Sequence, residues 1–324
     1  MNPPEFWQRD TAELGRLLAP LGWIYAQATA WRLDHADPWR SPIPVICIGN
    51  LTAGGSGKTP VVRDLALRLA RSGRRPAVLS RGYGGRLRGP LAVDPTLHTA
   101  AEVGDEPLLL SRETPCWIAG NRALGAKAAI AQGADVIVMD DGFQNPSIAQ
   151  KLKLVVVDGA TGFGNGRTIP AGPLRERIAS GIGRADALIL IGEDLRHIGR
   201  RFDQDLPVLR ASLRLRDAPW LAGRHVIGFA GIGRPGKFRA SLVAAGAEIT
   251  AFQPFADHHR FTDGELRALA IRAERQGATL VTTEKDWVRL GPGWRERIRS
   301  LPVDLIWRRE DDIERLLERT AAHD

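Results

Sequence analysis

The sequence predicts an α/β fold, and three observations predict it. A glycine-rich turn ending in Lys58-Thr59 stands between an apolar run and an amphipathic one. Short apolar runs then alternate with helical stretches as far as Val157, and the same rhythm restarts near Leu221. Together they describe a P-loop NTPase-like, mostly parallel sheet with a second, smaller α/β domain and an amino-terminal amphipathic helix. At 324 residues the chain exceeds a typical single domain. The expected division is a helix over 1–32, a P-loop domain over 33–220, and a smaller α/β domain over 221–324 that closes over the site.

The first element lies between Arg16 and Arg32, where fifteen residues carry no charge. A bilayer-spanning helix needs about 20, so this one is expected not to cross. Leu14, Leu17, Leu18, Leu21, Ile24, Tyr25, Ala28 and Trp31 recur at helical spacing, and Trp7, Trp23 and Trp31 supply rings favoured at a lipid interface. Pro20 is expected to kink the helix. The periodicity serves docking on a membrane and packing on the protein's own core equally well. Acids and bases mix in the first dozen residues and no clear cleavage site follows, so no secretory signal is read.

Pro44 to Ile48 reads as a buried strand and Pro60 to Arg71 as a helix with Val61, Leu65 and Leu69 on one face. Between them lies the expected nucleotide-binding set: Thr52, Ala53, Gly54, Gly55, Ser56, Gly57, Lys58 and Thr59. Without a Cβ, Gly54, Gly55 and Gly57 let successive N–H groups curl around phosphate oxygens at the positive end of the helix. Lys58 is placed to reach the β- and γ-phosphates of a nucleoside triphosphate, and the Thr59 hydroxyl to hold Mg²⁺. Thr52 stands where the usual pattern has its first glycine, so the loop entry is modified.

Arg75 to Ser80 reads as the next strand, ending in a glycine-rich tip, and Gly104-Asp-Glu-Pro107 opens a helix through Leu110. Asp105 there fits two roles: an N-cap with Pro in the first turn, or a carboxylate accepting a proton from an attacking hydroxyl. An apolar run follows at Cys116 to Ala119, then a helix over Asn121 to Gln132 and a strand over Asp135 to Met139. That strand stops at Asp140-Asp-Gly-Phe-Gln144, where Asp140 has the context of a metal-supporting acid and Asp141 can share the task; the same residues also suit a plain turn. After a strand at Lys153 to Val157, a long Gly/Pro-rich loop ends in Arg175 and Glu176, which read as anion-gripping residues or as a surface ion pair.

In the second unit, strand His225 to Ala230 leads through Gly231-Ile-Gly-Arg-Pro235 into a helix from Lys237 to Ala245 and a strand from Glu248 to Phe252. Helix Asp263 to Gln276 and strand Thr279 to Thr282 follow. His258, beside Asp257 and His259, is structural or part of a site, and adjacent histidines cannot share a helical face for zinc. Thr282-Thr-Glu-Lys-Asp286 reads equally as a helix start and as polar groups converging on a cleft.

The formal charge of +8 raises the question of nucleic acid, but Arg supplies 39 of the 45 basic residues and they are widely spread. No basic run interleaved with aromatics appears, so no nucleic-acid partner is read. Cys47 and Cys116 lie in apolar runs and are expected to be buried and reduced.

Taken in order, Gly49 to Pro60, Ser80-Arg-Gly-Tyr-Gly84, Gly104-Asp-Glu-Pro107, Asp140-Asp-Gly-Phe-Gln144, Gly162-Phe-Gly-Asn-Gly166, Pro170-Ala-Gly-Pro-Leu-Arg-Glu176, Asp257-His258 and Thr282 to Asp286 resemble the tetraacyldisaccharide 4′-kinase family of the lipid A pathway. The unusual Thr52 entry is itself what that family looks like. The resemblance implies transfer of the ATP γ-phosphoryl group to the 4′-hydroxyl of a lipid A disaccharide 1-phosphate at the cytoplasmic face of the inner membrane. It implies a peripheral, monotopic anchor at the amino terminus, Asp105 as base, and His258 as its partner across the interdomain cleft. Asn145, Arg234 and Gly85 depart from the family's usual His, Asn and Arg. Two other classes carry similar loops. A membrane-associated partition-type ATPase switch has a signature lysine where Ala53 stands, and in a P-loop kinase or ligase of a soluble metabolite the Trp-rich amino terminus would be merely a packed helix.

Overall fold

The computed structural model describes residues 4–8, 13–204, 206–216 and 218–321. A 3-10 turn, Glu5–Gln8, precedes helices α1 (Glu13–Leu17) and α2 (Ala19–Asp34). The two helices are divided at Leu18, whose backbone is itself helical, and Pro20 sits in the first turn of α2, where a missing N–H costs nothing. The first lobe then runs β1 (Val45–Gly49), α3 (Lys58–Arg71), β2 (Pro76–Ser80), β3 (Leu91–Ala92), α4 (Ala100–Val103), α5 (Asp105–Leu110), β4 (Cys116–Ile118), α6 (Arg122–Ala131), β5 (Val136–Asp140), β6 (Leu152–Asp158), α7 (Ile178–Ile182), β7 (Ala187–Ile191), α8 (Ile198–Phe202) and β8 (Val208–Leu215). The second lobe follows with β9 (His225–Ala230), α9 (Pro235–Ala244), β10 (Glu248–Pro254), α10 (Asp263–Arg275), β11 (Thr279–Thr283), α11 (Glu284–Trp287), α12 (Pro292–Arg297) and β12 (Arg299–Leu301). The described chain closes with β13 (Val303–Trp307) and α13 (Glu310–Ala321).

Nine strands form one sheet in the order β13-β8-β7-β6-β1-β5-β2-β4-β3, parallel except where β13 and β3 pair antiparallel at the two edges. Continuous apolar runs such as Val45–Gly49 and Val136–Asp140 are buried along their whole length, as parallel strands covered on both faces must be. Val61, Val62, Leu65 and Leu69 of α3 cover one face together with Leu108, Leu110, Ile313 and Leu317. Ala126, Ala129, Ile182 and Phe202 cover the other. The second sheet, β10-β9-β11-β12, is wholly parallel and has its own two apolar layers.

Two expectations change. The unit expected over 221–324 does not keep Val303 onward: β13 pairs with β8 of the large sheet, and Leu305, Trp307, Ile313 and Leu317 bury in the α3 layer. β8 leaves an unpaired edge that only this return strand satisfies, and β7, β8 and β13 were not read in the sequence. The second change is at Gly104, which is the cap residue of α5 with φ +92°, while Asp105 is the first helical residue and makes no capping bond. Cys47 and Cys116 are free and buried as expected, and burial pushes both thiols up, which leaves them inert.

Candidate active site

The site lies at the carboxyl ends of β1, β5 and β6, facing those of β9 and β11, where open parallel sheets carry ligands. The loop after β1 bends through Gly54 at φ +116° and Gly57 at φ +86°, backbone states that side chains disfavour. Gly57 precedes α3, so the amides of the loop end at a positive helix terminus. The loop entry is braced from outside. Ala53 N–H donates to Pro173 O at 2.7 Å, Arg175 N–H to Leu51 O at 2.7 Å, and Asn50 Nδ2 to Thr52 O at 2.7 Å. Thr52 bridges Leu174, so Thr52 and Ala53 serve the brace while residues 54–59 form the open cradle.

Lys58 Nζ lies 3.4 Å from Asp141 Oδ1, and Arg175 Nη1 donates to both Asp141 oxygens at 2.8 and 3.0 Å. Burial works against the Asp141 charge, but Lys58 and Arg175 hold its pKa down to about 2. Asp140 is the opposite case. Burial first, then Glu106 and Asp141, push its pKa up to about 7. Ser80 Oγ donates to its Oδ2 at 3.3 Å, while Oδ1 has no partner among the described residues. A buried carboxyl group in that condition stays ionised only where a cation meets it. Thr59 Oγ1 donates to Glu106 Oε1 at 3.2 Å, which puts hydroxyl and carboxylate oxygens together beside Lys58. Among the described residues no group of three or more acids, histidines or cysteines forms a closed metal cage. Mg²⁺ needs none, because it takes one or two carboxylates with phosphate and water.

The second lobe supplies the other wall, and Asp105 of α5 meets it from the first lobe. Asp105 is 6% exposed and lies 3.2 Å from His258 Nδ1. Arg289 pairs with it through Nε at 3.1 Å and through Nη2. Burial alone would raise the Asp105 pKa, but the His258 hydrogen bond and the charges of Lys285 and Arg289 hold it far below the usual carboxylate range. His258 is held at φ +58° by its N–H bond to Gly231 O at 3.0 Å, an uncommon backbone state fixed by its surroundings. Its hydrogen bond to Asp105 raises its pKa against partial burial. His259 turns away to Glu265 at 3.0 Å, so the two histidines do not converge on a metal.

Arg289 and Glu106 are the residues sequence reasoning missed. Arg289 is aimed by Asp286, which accepts from its Nη1 at 2.9 Å and from Gly231 N at 3.1 Å while itself buried. The i,i+3 spacing of Asp286 and Arg289 was the available signal. Both readings of Thr282 to Asp286 hold, since Thr283 caps α11 and Lys285 pairs with Glu106 across the lobes. Glu106 belongs to the Gly-Asp-Glu-Pro motif, but only the fold brings it to Thr59. Arg175 and Glu176 do not pair with each other: Glu176 is buried and accepts from Gln144 Nε2 at 2.9 Å and Arg184 Nη2 at 3.0 Å. A second interlobe clasp joins Arg234 and Lys237 to Asp158 at the tip of β6. Beside it a Cβ on Gly233 would lie 3.8 Å from Gly55 N. The second lobe therefore reaches over the cradle.

A family model described as Tetraacyldisaccharide-1-P 4'-kinase matches residues 14–322. The chain belongs to this family. It is 54% identical over 323 residues to a tetraacyldisaccharide 4'-kinase of Rhodospirillum centenum, covering 98% of this chain and 96% of that one. It is 53% identical over 320 residues to one of Gluconacetobacter diazotrophicus, covering 98% of each. The fold resembles that of LpxK from Aquifex aeolicus, whose crystal structure is a complex with ATP, with a TM-score of 0.78 at 28% identity over 95% of this chain and 100% of that one. In this member of the tetraacyldisaccharide 4'-kinase family, Lys58, the Asp105–His258 pair, and Asp140 and Asp141 at the end of β5 lie in one cleft.

Proposed function

We propose that this chain transfers the γ-phosphoryl group of ATP to the 4′-hydroxyl of a tetraacyldisaccharide 1-phosphate, giving the 1,4′-bis-phosphate of lipid A biosynthesis. The observation that carries it is the meeting, in one cleft, of the Lys58–Thr59 cradle and Asp105 on the first lobe with His258 on the second. Lys58 neutralises charge on the β- and γ-phosphates, and the loop amides hold them. Thr59 and Asp140 are the ligands assigned to Mg²⁺, with Asp141 and Glu106 beside them; the ion, when bound, screens the charge of the phosphoryl group in flight. Asp105 accepts the hydrogen bond of the acceptor hydroxyl, orients its oxygen toward the γ-phosphorus and takes its proton as the oxygen–phosphorus bond forms and ADP leaves. A strongly acidic carboxylate suffices, because in a loose transition state the hydroxyl keeps its proton until late and orientation counts for more than basicity. His258 and Arg289 hold that carboxylate in place.

The acceptor carries four acyl chains, so the enzyme must work at a membrane. Leu14, Leu17, Leu21, Ile24 and Trp31 form an exposed stripe on α1 and α2, suited to peripheral, monotopic docking on the cytoplasmic face of the inner membrane. No helix among the described residues is long and apolar enough to cross it.

Incubation with labelled ATP and a lipid A disaccharide monophosphate in detergent is expected to yield a bis-phosphorylated lipid. Absence of that product from a preparation that still binds ATP would overturn the proposal. Asp105→Ala is expected to lower transfer by about 10²- to 10⁴-fold with ATP binding retained, and near-normal turnover would return Asp105 to a structural part.

A further inference from the structure

Beside α2 the structure holds a cleft of about 250 Å³ between Ala19, Trp23 and Ala26 on one side and the segments Gly166–Ala171 and Arg177–Ile178 on the other. Its walls are fixed. Thr168 Oγ1 donates to Gly22 O at 2.6 Å, and a Cβ on Gly22 would lie 2.8 Å from Thr168 O, so helix and loop meet backbone to backbone. The lining is apolar apart from Thr168 and two guanidinium groups, Arg167 and Arg177. Their neighbours Arg175 and Arg184 are matched to Asp141 and Glu176. Arg167, half-buried, and Arg177, exposed, have no carboxylate partner among the described residues. Two uncompensated cations in a mostly apolar cleft suit an anion carried on an apolar body, and a planar guanidinium grips phosphate oxygens two at a time.

We propose that this cleft takes the 1-phosphate end of the lipid acceptor, with Arg167 and Arg177 holding the phosphate and Ala19, Trp23 and Ile178 receiving the adjoining acyl methylenes. The inference rests on the lipid-kinase reading above and adds to it where the far end of the acceptor sits. Two features place that end here. Trp23 is 57% exposed and lies on the helix that carries the exposed apolar stripe, so the cleft borders the surface from which a lipid arrives. From Arg177 the chain needs at most about 7 Å to reach Arg175, whose guanidinium sits on Asp141 next to Lys58. A disaccharide laid along that path has its 1-phosphate in the cleft and its 4′-hydroxyl at the cradle, the two ends the reaction must distinguish.

The test compares two acceptors in mixed micelles, the disaccharide 1-phosphate and the same lipid lacking that phosphate, for the full chain and for Arg167→Ala with Arg177→Ala. The unaltered protein is expected to prefer the phosphorylated acceptor. The double variant is expected to lose that preference through a rise in KM of about tenfold or more for the phosphorylated acceptor alone, with KM for ATP and Tm unchanged. Arg167→Lys with Arg177→Lys is expected to recover part of it, since charge returns without the fork. Unaltered protein that phosphorylates both acceptors equally, or a double variant that keeps the full preference, overturns the proposal while leaving the kinase reading intact. No product from either acceptor sinks the kinase reading itself. A parallel arm measures partition to vesicles of zwitterionic lipid with and without anionic phospholipid. Equal partition of the double variant and the unaltered protein supports a substrate site, whereas loss confined to anionic vesicles with the acceptor preference kept assigns the pair to membrane headgroups and overturns it.

Discussion

α2 and α3 are helices of similar length with apolar residues at helical spacing, and they are folded inside out relative to each other. α3 buries Val61, Val62, Leu65 and Leu69 in the large core. α2 buries Gly22, Ala26 and Thr29 and leaves Leu21, Trp23, Ile24 and Trp31 exposed. The difference teaches that an apolar stripe announces a buried face without saying what buries it. On α3 the covering is the sheet. On α2 the small residues give the close approach to Thr168 and Ala171, and the large ones face outward with no covering among the described residues. Trp7 does not join them, because its Nε1 donates to Pro170 O at 3.1 Å.

The largest effect expected from either helix is at the first residue of α3. Lys58→Ala should lower phosphoryl transfer by about 10²- to 10³-fold without shifting vesicle partition, and full activity in a transfer assay would take the cradle out of the mechanism. Next, Leu65→Ala should cost about 2–5 kcal/mol of stability as a core cavity, while Leu21→Ala should stay within about 0.5 kcal/mol. Equal losses in thermal unfolding would mean that the α2 stripe is covered within the molecule, and the contrast would fail. Replacing Ile24 and Trp31 together by Ser should weaken vesicle binding by about tenfold or more with Tm unchanged, and unchanged partition would break the membrane assignment.

A further small effect belongs to neither helix but to the joint between the lobes. The Asp105 hydrogen bond raises the His258 pKa above its ordinary value of 6.5. The stabilisation from that pair is therefore complete below that value and is lost as pH rises through the raised one. His258→Ala should lower stability most at acidic pH, by no more than about 1 kcal/mol given the exposure of the ring, and the gap should close on the alkaline side. A gap that widened with pH would reverse the assigned sign.

How legible the site was depended on how local each part was. The cradle, Lys58 and Thr59 lie within one strand-turn-helix, and Asp140 ends a continuous apolar strand, so glycine conformation and strand register announce them. Asp105 could be found but not assigned, because a helix start and a proton acceptor look alike until the second lobe brings Arg289 and His258 to it. β7 and β8 went unread although Ala187–Ile191 is a continuous apolar run. The return of β13 had no local signal, since it depends on an edge left open by β8 nearly ninety residues earlier.

What the sequence determined by itself is the alternating α/β order, the phosphate cradle and the paired motifs, all set by backbone preference and spacing over a few residues. The tertiary structure alone decided which face of α2 looks outward, which carboxylate meets which cation across the cleft, and where the carboxy-terminal strand belongs. Those outcomes turn on burial and on charges separated by tens to hundreds of residues, and a charge acquires its partner and its pKa only when folding removes the water between them.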